Sequence, residues 1–96
     1  MLNEPKLSQT QIYTLRRMGI GNGYLARGDG RKGDEMRVDR AYSAPRRVNA
    51  PSIPPLIRLG FVEFVNDGER DKTLYYRVRL TKKGINLVWG NADDNS

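Results

Sequence analysis

The stretch SIPPLIRLGFVEFVNDGERDKTLYYRVRLTKKGINLVW, residues 52–89, decides the fold. Its opening, Ser52-Ile53-Pro54-Pro55-Leu56-Ile57-Arg58-Leu59-Gly60-Phe61, predicts a short helix, because proline is tolerated in a first turn where the amides lack intrahelical partners. Ser52 is the expected N-cap and Gly60 the stop, with Phe61 placed to touch Leu56. Residues 61–65 and 73–80 are rich in β-forming types and flank the polar tip Asn66-Asp67-Gly68-Glu69-Arg70-Asp71-Lys72, which predicts a hairpin. In the return strand Leu74, Tyr76, Val78 and Leu80 alternate with Tyr75, Arg77 and Arg79. One face is therefore apolar, and the other is basic with an aromatic ring. Thr81 then caps a last helix to about Trp89, with Ile85, Val88 and either Leu87 or Trp89 expected inward.

Working outward, Leu7-Ser8-Gln9-Thr10-Gln11-Ile12 spells a capping box. Ser8 can accept from the Gln11 amide while Gln11 reaches back, and Leu7 and Ile12 stand at the staple positions. The helix it starts ends at Met18, with Ile12, Leu15 and Met18 as its apolar stripe. Gly19 is the expected left-handed stop, with Ile20 folding back on Leu15. Arg16 and Arg17 suit the negative end of the helix dipole. Tyr24–Arg27 and residues 35–38 flank Gly28-Asp29-Gly30-Arg31-Lys32-Gly33, a turn composition that predicts a second, smaller hairpin. Residues 39–49 show no clean period and read as an ordered basic loop.

A first helix, a short helix ending in Leu59-Gly60-Phe61-Val62, a hairpin, and Tyr76-Arg77-Val78-Arg79-Leu80-Thr81-Lys82-Lys83-Gly84 opening a last helix together resemble a winged-helix domain of bacterial or phage type. The resemblance covers residues 7–18 and 52–89. It implies that residues 56–65 run from a recognition helix into the wing, and that Leu80-Thr81-Lys82-Lys83-Gly84 leaves the wing for the closing helix. A full helix-turn-helix has a further helix between the first and the recognition helix, whereas residues 19–48 have Gly-rich hairpin composition. The expected fold is thus α+β and winged-helix-like: three helices, a C-terminal β-hairpin wing and an additional hairpin after helix 1. It forms a single domain over 1–96, with 7–89 as its core and 90–96 as a disordered acidic tail.

Composition narrows the function. The chain has 96 residues, 17 Lys and Arg against 11 Asp and Glu, a net charge of +6, and neither His nor Cys. Imidazole and thiolate chemistry is excluded, zinc fingers and Cys–His nucleophile pairs included. Paired acids occur only at Asp34-Glu35 and Asp93-Asp94, adjacent in sequence and in expected loop or tail, so no enzyme and no cofactor is predicted. No apolar run approaches membrane-spanning length, and residues 1–6 lack a signal-peptide layout, so a cytoplasmic protein is expected.

The charge is uneven. Residues 1–15 are neutral, 16–58 carry ten basic and four acidic residues, 59–89 six and four, and 90–96 only two acids. Arg46, Arg47 and Arg58 flank the expected recognition helix, and Arg77, Arg79, Lys82 and Lys83 follow the wing. Lys82 and Lys83 oppose the positive end of a helix dipole, which bound phosphate would explain. A solvated face kept basic for solubility explains the same run without any ligand. Gly19-Ile20-Gly21-Asn22-Gly23 follows a helix and lacks a Lys-Ser/Thr pair, so it fails as a phosphate loop. Among the aromatic residues Tyr13, Tyr42, Tyr75 and Trp89, only Tyr75 is placed on the basic face.

The expected function is nucleic-acid binding, DNA above all, by a small regulator of phage or mobile-element type. Arg46, Arg47 and Arg58 would contact backbone or base edges, Arg77, Arg79, Lys82 and Lys83 flanking phosphates, Arg70 and Lys72 a minor groove, and Tyr75 a base. The alternative is a phage-encoded inhibitor that binds a host protein, one that handles nucleic acid or belongs to a defence complex. An anionic membrane ranks last, for want of a basic amphipathic helix.

Overall fold

A computed structural model of the chain describes residues 6–38 and 45–90. The element order is α1 (Gln9–Gly19), β1 (Gly23–Arg27), β2 (Gly33–Arg37), β3 (Arg46–Asn49), α2 (Ile53–Arg58), β4 (Val62–Phe64), β5 (Tyr75–Leu80) and α3 (Lys82–Trp89). The strands form one sheet in the order β3-β2-β1-β5-β4, and every neighbouring pair is antiparallel.

The α+β class and the three helices match expectation, but the winged-helix-like architecture does not. β5 pairs with β4 as a hairpin and also with β1, through Tyr24 opposite Val78 and Ala26 opposite Tyr76. The expected wing is therefore one end of a five-stranded sheet, with β4 at the edge and β5 joined to β1 inside it. The expected basic loop contains β3, paired with β2 from Asp34 opposite Asn49 to Arg37 opposite Arg46. Residues 39–44 of that loop, Tyr42 among them, and residues 91–96 of the acidic tail lie outside the described residues.

Local chemistry explains most element ends. The Ser8 capping box forms, with the Gln11 amide donating to Ser8 Oγ at 3.1 Å and the Ser8 amide to Gln11 Oε1 at 2.9 Å. The helix runs one residue past Met18, and the left-handed residue is Gly21, not Gly19. Ile20 accordingly points to solvent instead of onto Leu15. α2 ends as expected: Gly60 is left-handed, and the Phe61 amide reaches back to the Leu56 carbonyl at 3.0 Å, the six-to-one bond of a Schellman stop. Ser52 makes no cap. The second and third helical positions are Pro54 and Pro55, which have no N–H for its hydroxyl to accept from.

One core lies between the helices and one face of the sheet. Leu15, Ile53 and Leu56 from the helices meet Tyr24, Ala26, Val62 and Val78 from the strands, with Phe61 and Ala50 beside them. α3 contributes differently from expectation. Ile85, Leu87 and Trp89 are all largely exposed, and only Val88 packs on the core. The helix seats itself through buried Gly84, whose missing side chain leaves room for the Phe61 carbonyl.

Candidate nucleic-acid interface

Residues paired across neighbouring strands share a face, so the register defines the outer surface of the sheet. Leu25 lies opposite Arg77 and Arg27 opposite Tyr75. Asp34 lies opposite Leu25, Met36 opposite Arg47, and Arg79 opposite Glu63. Alternation turns all of them away from Tyr24, Ala26 and Val78, the side on which the helices pack. Four expected site residues, Arg47, Tyr75, Arg77 and Arg79, thus come together, and Arg27 joins them.

The arginines are held in place. Arg47 donates from Nε and Nη2 to Asp34 Oδ2, at 3.1 and 2.8 Å, and its guanidinium lies 4.4 Å from the Tyr75 ring centre. Arg27 grips both oxygens of Asp29, at 3.0 and 2.8 Å. That grip, with a further bond from the Arg31 amide, holds the Asp29 carboxyl down at about 2. Arg79 donates from Nε to Glu63 at 2.8 Å. Arg77 stands between these pairs with no carboxylate partner among the described residues. A guanidinium has five N–H donors, so each paired arginine keeps unused donors after binding its carboxylate. Exposed pairs of this kind are worth roughly 0.2–1 kcal/mol, little enough for a phosphate to displace them.

At one end the face meets a groove of about 480 Å³ between the end of α1, the start of β1 and α3, lined by Asn22, Arg77, Arg79, Ile85 and Trp89. Trp89 is 62% exposed, with its indole edge beside Gly19. Sequence reasoning expected either Leu87 or this ring inward, and both are exposed. The signal that finds it is Gly84: if the glycine faces the core, position 88 faces inward one turn on and position 89 turns out.

The remaining expected site residues go elsewhere. Arg70 folds back with its guanidinium 3.8 Å from the Phe64 ring and donates to the Asn66 carbonyl, so it is not a projecting wing tip. Lys83 donates to the Leu59 carbonyl at 3.0 Å and lies 4.6 Å from the Phe61 ring. It completes the C-terminal end of α2, which supplies a structural reason for a cation in the first turn of α3. Lys72 and Lys82 are exposed, one in the β4–β5 loop and one at the start of α3. Arg46 falls in line with the helix-side residues of the edge strand, opposite Arg37. Arg58 ends α2 and is exposed, but Ile53, Pro54 and Leu56 of this six-residue helix are buried, so α2 presents little beyond Arg58 and Pro55 to a DNA groove.

Among the described residues the one buried acid is Glu35, 5% exposed. Arg17 donates to its Oε2 from Nε at 3.0 Å and also from Nη2, while Arg37 donates to Oε1 at 3.0 Å. Burial works against its ionisation, but the two arginines outweigh it and hold the carboxyl below its ordinary range. Tyr24, alongside, is pushed up by burial. Both Glu35 oxygens are engaged by cations within the fold, so this acid has no free proton-accepting edge to offer a substrate. Among the described residues no group of acids gathers to hold a metal ion.

No protein-family model, curated protein or solved structure matches the chain.

Proposed function

We propose that the protein binds single-stranded nucleic acid along the outer face of its sheet. The observation that carries the reading is Arg77, without an ion pair among the described residues, on an open face between the Arg47–Tyr75 stack and the Trp89 groove. Phosphates take the free N–H donors of Arg77, Arg79, Arg27 and Arg47, and bases stack on Tyr75 and Trp89. Single strands fit better than duplex. Five strands at about 4.8 Å spacing span roughly 19 Å, against a major groove of about 12 Å that admits at most a helix or a two-stranded ribbon.

Affinity for a fluorescent oligothymidylate, measured across a salt series, tests this. The logarithm of the affinity should fall linearly with that of salt, by about 0.7 per phosphate neutralised. The double variant Arg77→Ala/Arg79→Ala should flatten that slope by about 1.4. Emission from Trp89, the only tryptophan, should be quenched on binding. Affinity indifferent to salt, or an unchanged slope in the double variant, defeats the reading.

A protein partner is the second reading, and a different surface favours it. Tyr13, Ile20 and Val38 are exposed around a groove of about 600 Å³ at the end of α1, with Ile20 at 72% and Val38 at 78%. Apolar side chains gathered this way mark protein contacts more often than phosphate sites. A partner retained from nuclease-treated lysate, and lost on Ile20→Asp, would favour it.

A further inference from the structure

We infer that Arg31, Lys32 and Arg58 form a separate phosphate-binding groove, on the side of the molecule where the β1–β2 turn meets α2. The groove, of about 580 Å³, is lined by these three cations with Gly33, Asn49, Pro51, Pro54 and Pro55. No acid lines it. Asp29, the nearest carboxylate in sequence, is committed to Arg27 and to the Arg31 amide, and Asp34 to Arg47. Arg31, Lys32 and Arg58 themselves have no ion pair among the described residues.

The fold brings these cations together and fixes them. Residues 31 and 58 are far apart in sequence, and the contact that joins them is Gly33 on Ile53, so close that a Cβ on Gly33 would fall 2.4 Å from that of Ile53. The Ala50 amide donates to the Gly33 carbonyl at 2.8 Å, tying the turn to the segment that enters α2. On the other side Asp29 ties the turn to Arg27 and Arg31. Three proline rings form a wall that cannot collapse into the groove or compete as N–H donors. Arg58 suits the end of a helix dipole, but neither Arg31 nor Lys32 has a counterpart among the described residues. Like charges held together without a counter-ion repel, and a group with several acceptor oxygens relieves all three at once.

None of these three cations belongs to the set assigned above to the outer face of the sheet, so the groove can fail or hold independently of that reading. The test is a titration of ¹⁵N-labelled protein with inorganic pyrophosphate at low salt. Saturable shifts should gather in the amides of residues 30–33, 49–50 and 57–59. The triple variant Arg31→Gln/Lys32→Gln/Arg58→Gln should weaken binding about tenfold or more, while Arg77→Ala/Arg79→Ala leaves it unchanged. Shifts scattered over every exposed cation, or full affinity in the triple variant, overturn the site. A parallel titration with oligothymidylate identifies the source of the phosphate. Movement of the same amides assigns it to a nucleic-acid backbone, and movement with pyrophosphate alone assigns it to a small phosphorylated ligand.

Discussion

Glu35 is the residue on which the helix-bearing side of the sheet turns. It sits on β2, is bonded by Arg17 from α1 and Arg37 from its own strand, and is the only acid among the buried residues described. Glu35→Gln keeps the shape but turns an amide N–H toward one arginine. Removing one member of a buried pair costs about 3–5 kcal/mol, and the partial exposure of both arginines reduces this to about 2 kcal/mol. For a domain of this size that corresponds to a fall in Tm of roughly 10 °C by thermal denaturation. The Glu35 carboxyl is depressed in the folded state, so its contribution is complete above about pH 4.3, the ordinary glutamate value, and is lost as pH falls through the lower folded value. The gap between the two proteins should therefore be full at pH 7 and close in acid. This pairing is invisible in the sequence, because Arg17 and Glu35 are distant along the chain and both are ordinary surface types.

At the scale of elements, what depends on neighbours along the chain is legible, and what depends on neighbours in space is less so. The Ser8 capping box and the Gly60 stop are matters of three to six residues, and both form. β3 escapes sequence reasoning for a physical reason. It is a short edge strand with Arg46, Arg47 and Asn49 exposed, and edges are kept short and charged against pairing with other chains, which erases the apolar alternation that reveals a strand. The face of α3 escapes because a glycine makes its closest contact, and hydropathy carries no signal for a missing side chain. The seat of α2 has the same character. Gly33→Ala should force α2 off β2 at a cost of about 1–3 kcal/mol, read as a lower urea midpoint. Gly68→Ala, whose nearest contact is the Asn66 side-chain oxygen at 3.4 Å, should change the midpoint little.

For the whole molecule the decisive fact is the number of partners of β5. The sequence shows a strand with one apolar and one basic face, and a single-partner wing satisfies that pattern as well as a central strand does. Alternation of side chains reports what lies above and below a sheet and is silent about its edges. The same uncertainty governs the candidate interface. Arg77 and Arg79 on a two-stranded wing would be flanking contacts, whereas on an inner strand of a five-stranded sheet they share a surface with Arg27, Arg47 and Tyr75. Hydrogen exchange separates the two arrangements. Successive amides of a strand point alternately to its two neighbours, so every second amide of a wing strand is open to water, while both sets are bonded in a central strand. Residues 76–79, where the pairing with β1 over 75–78 overlaps the pairing with β4 over 77–80, should accordingly show no odd–even alternation and should exchange as slowly as Tyr24 and Ala26, through opening of the whole domain. Arg46–Asn49 at the edge should exchange faster. Alternating protection along β5 would detach it from β1, and with it the shared basic face on which the proposed binding rests.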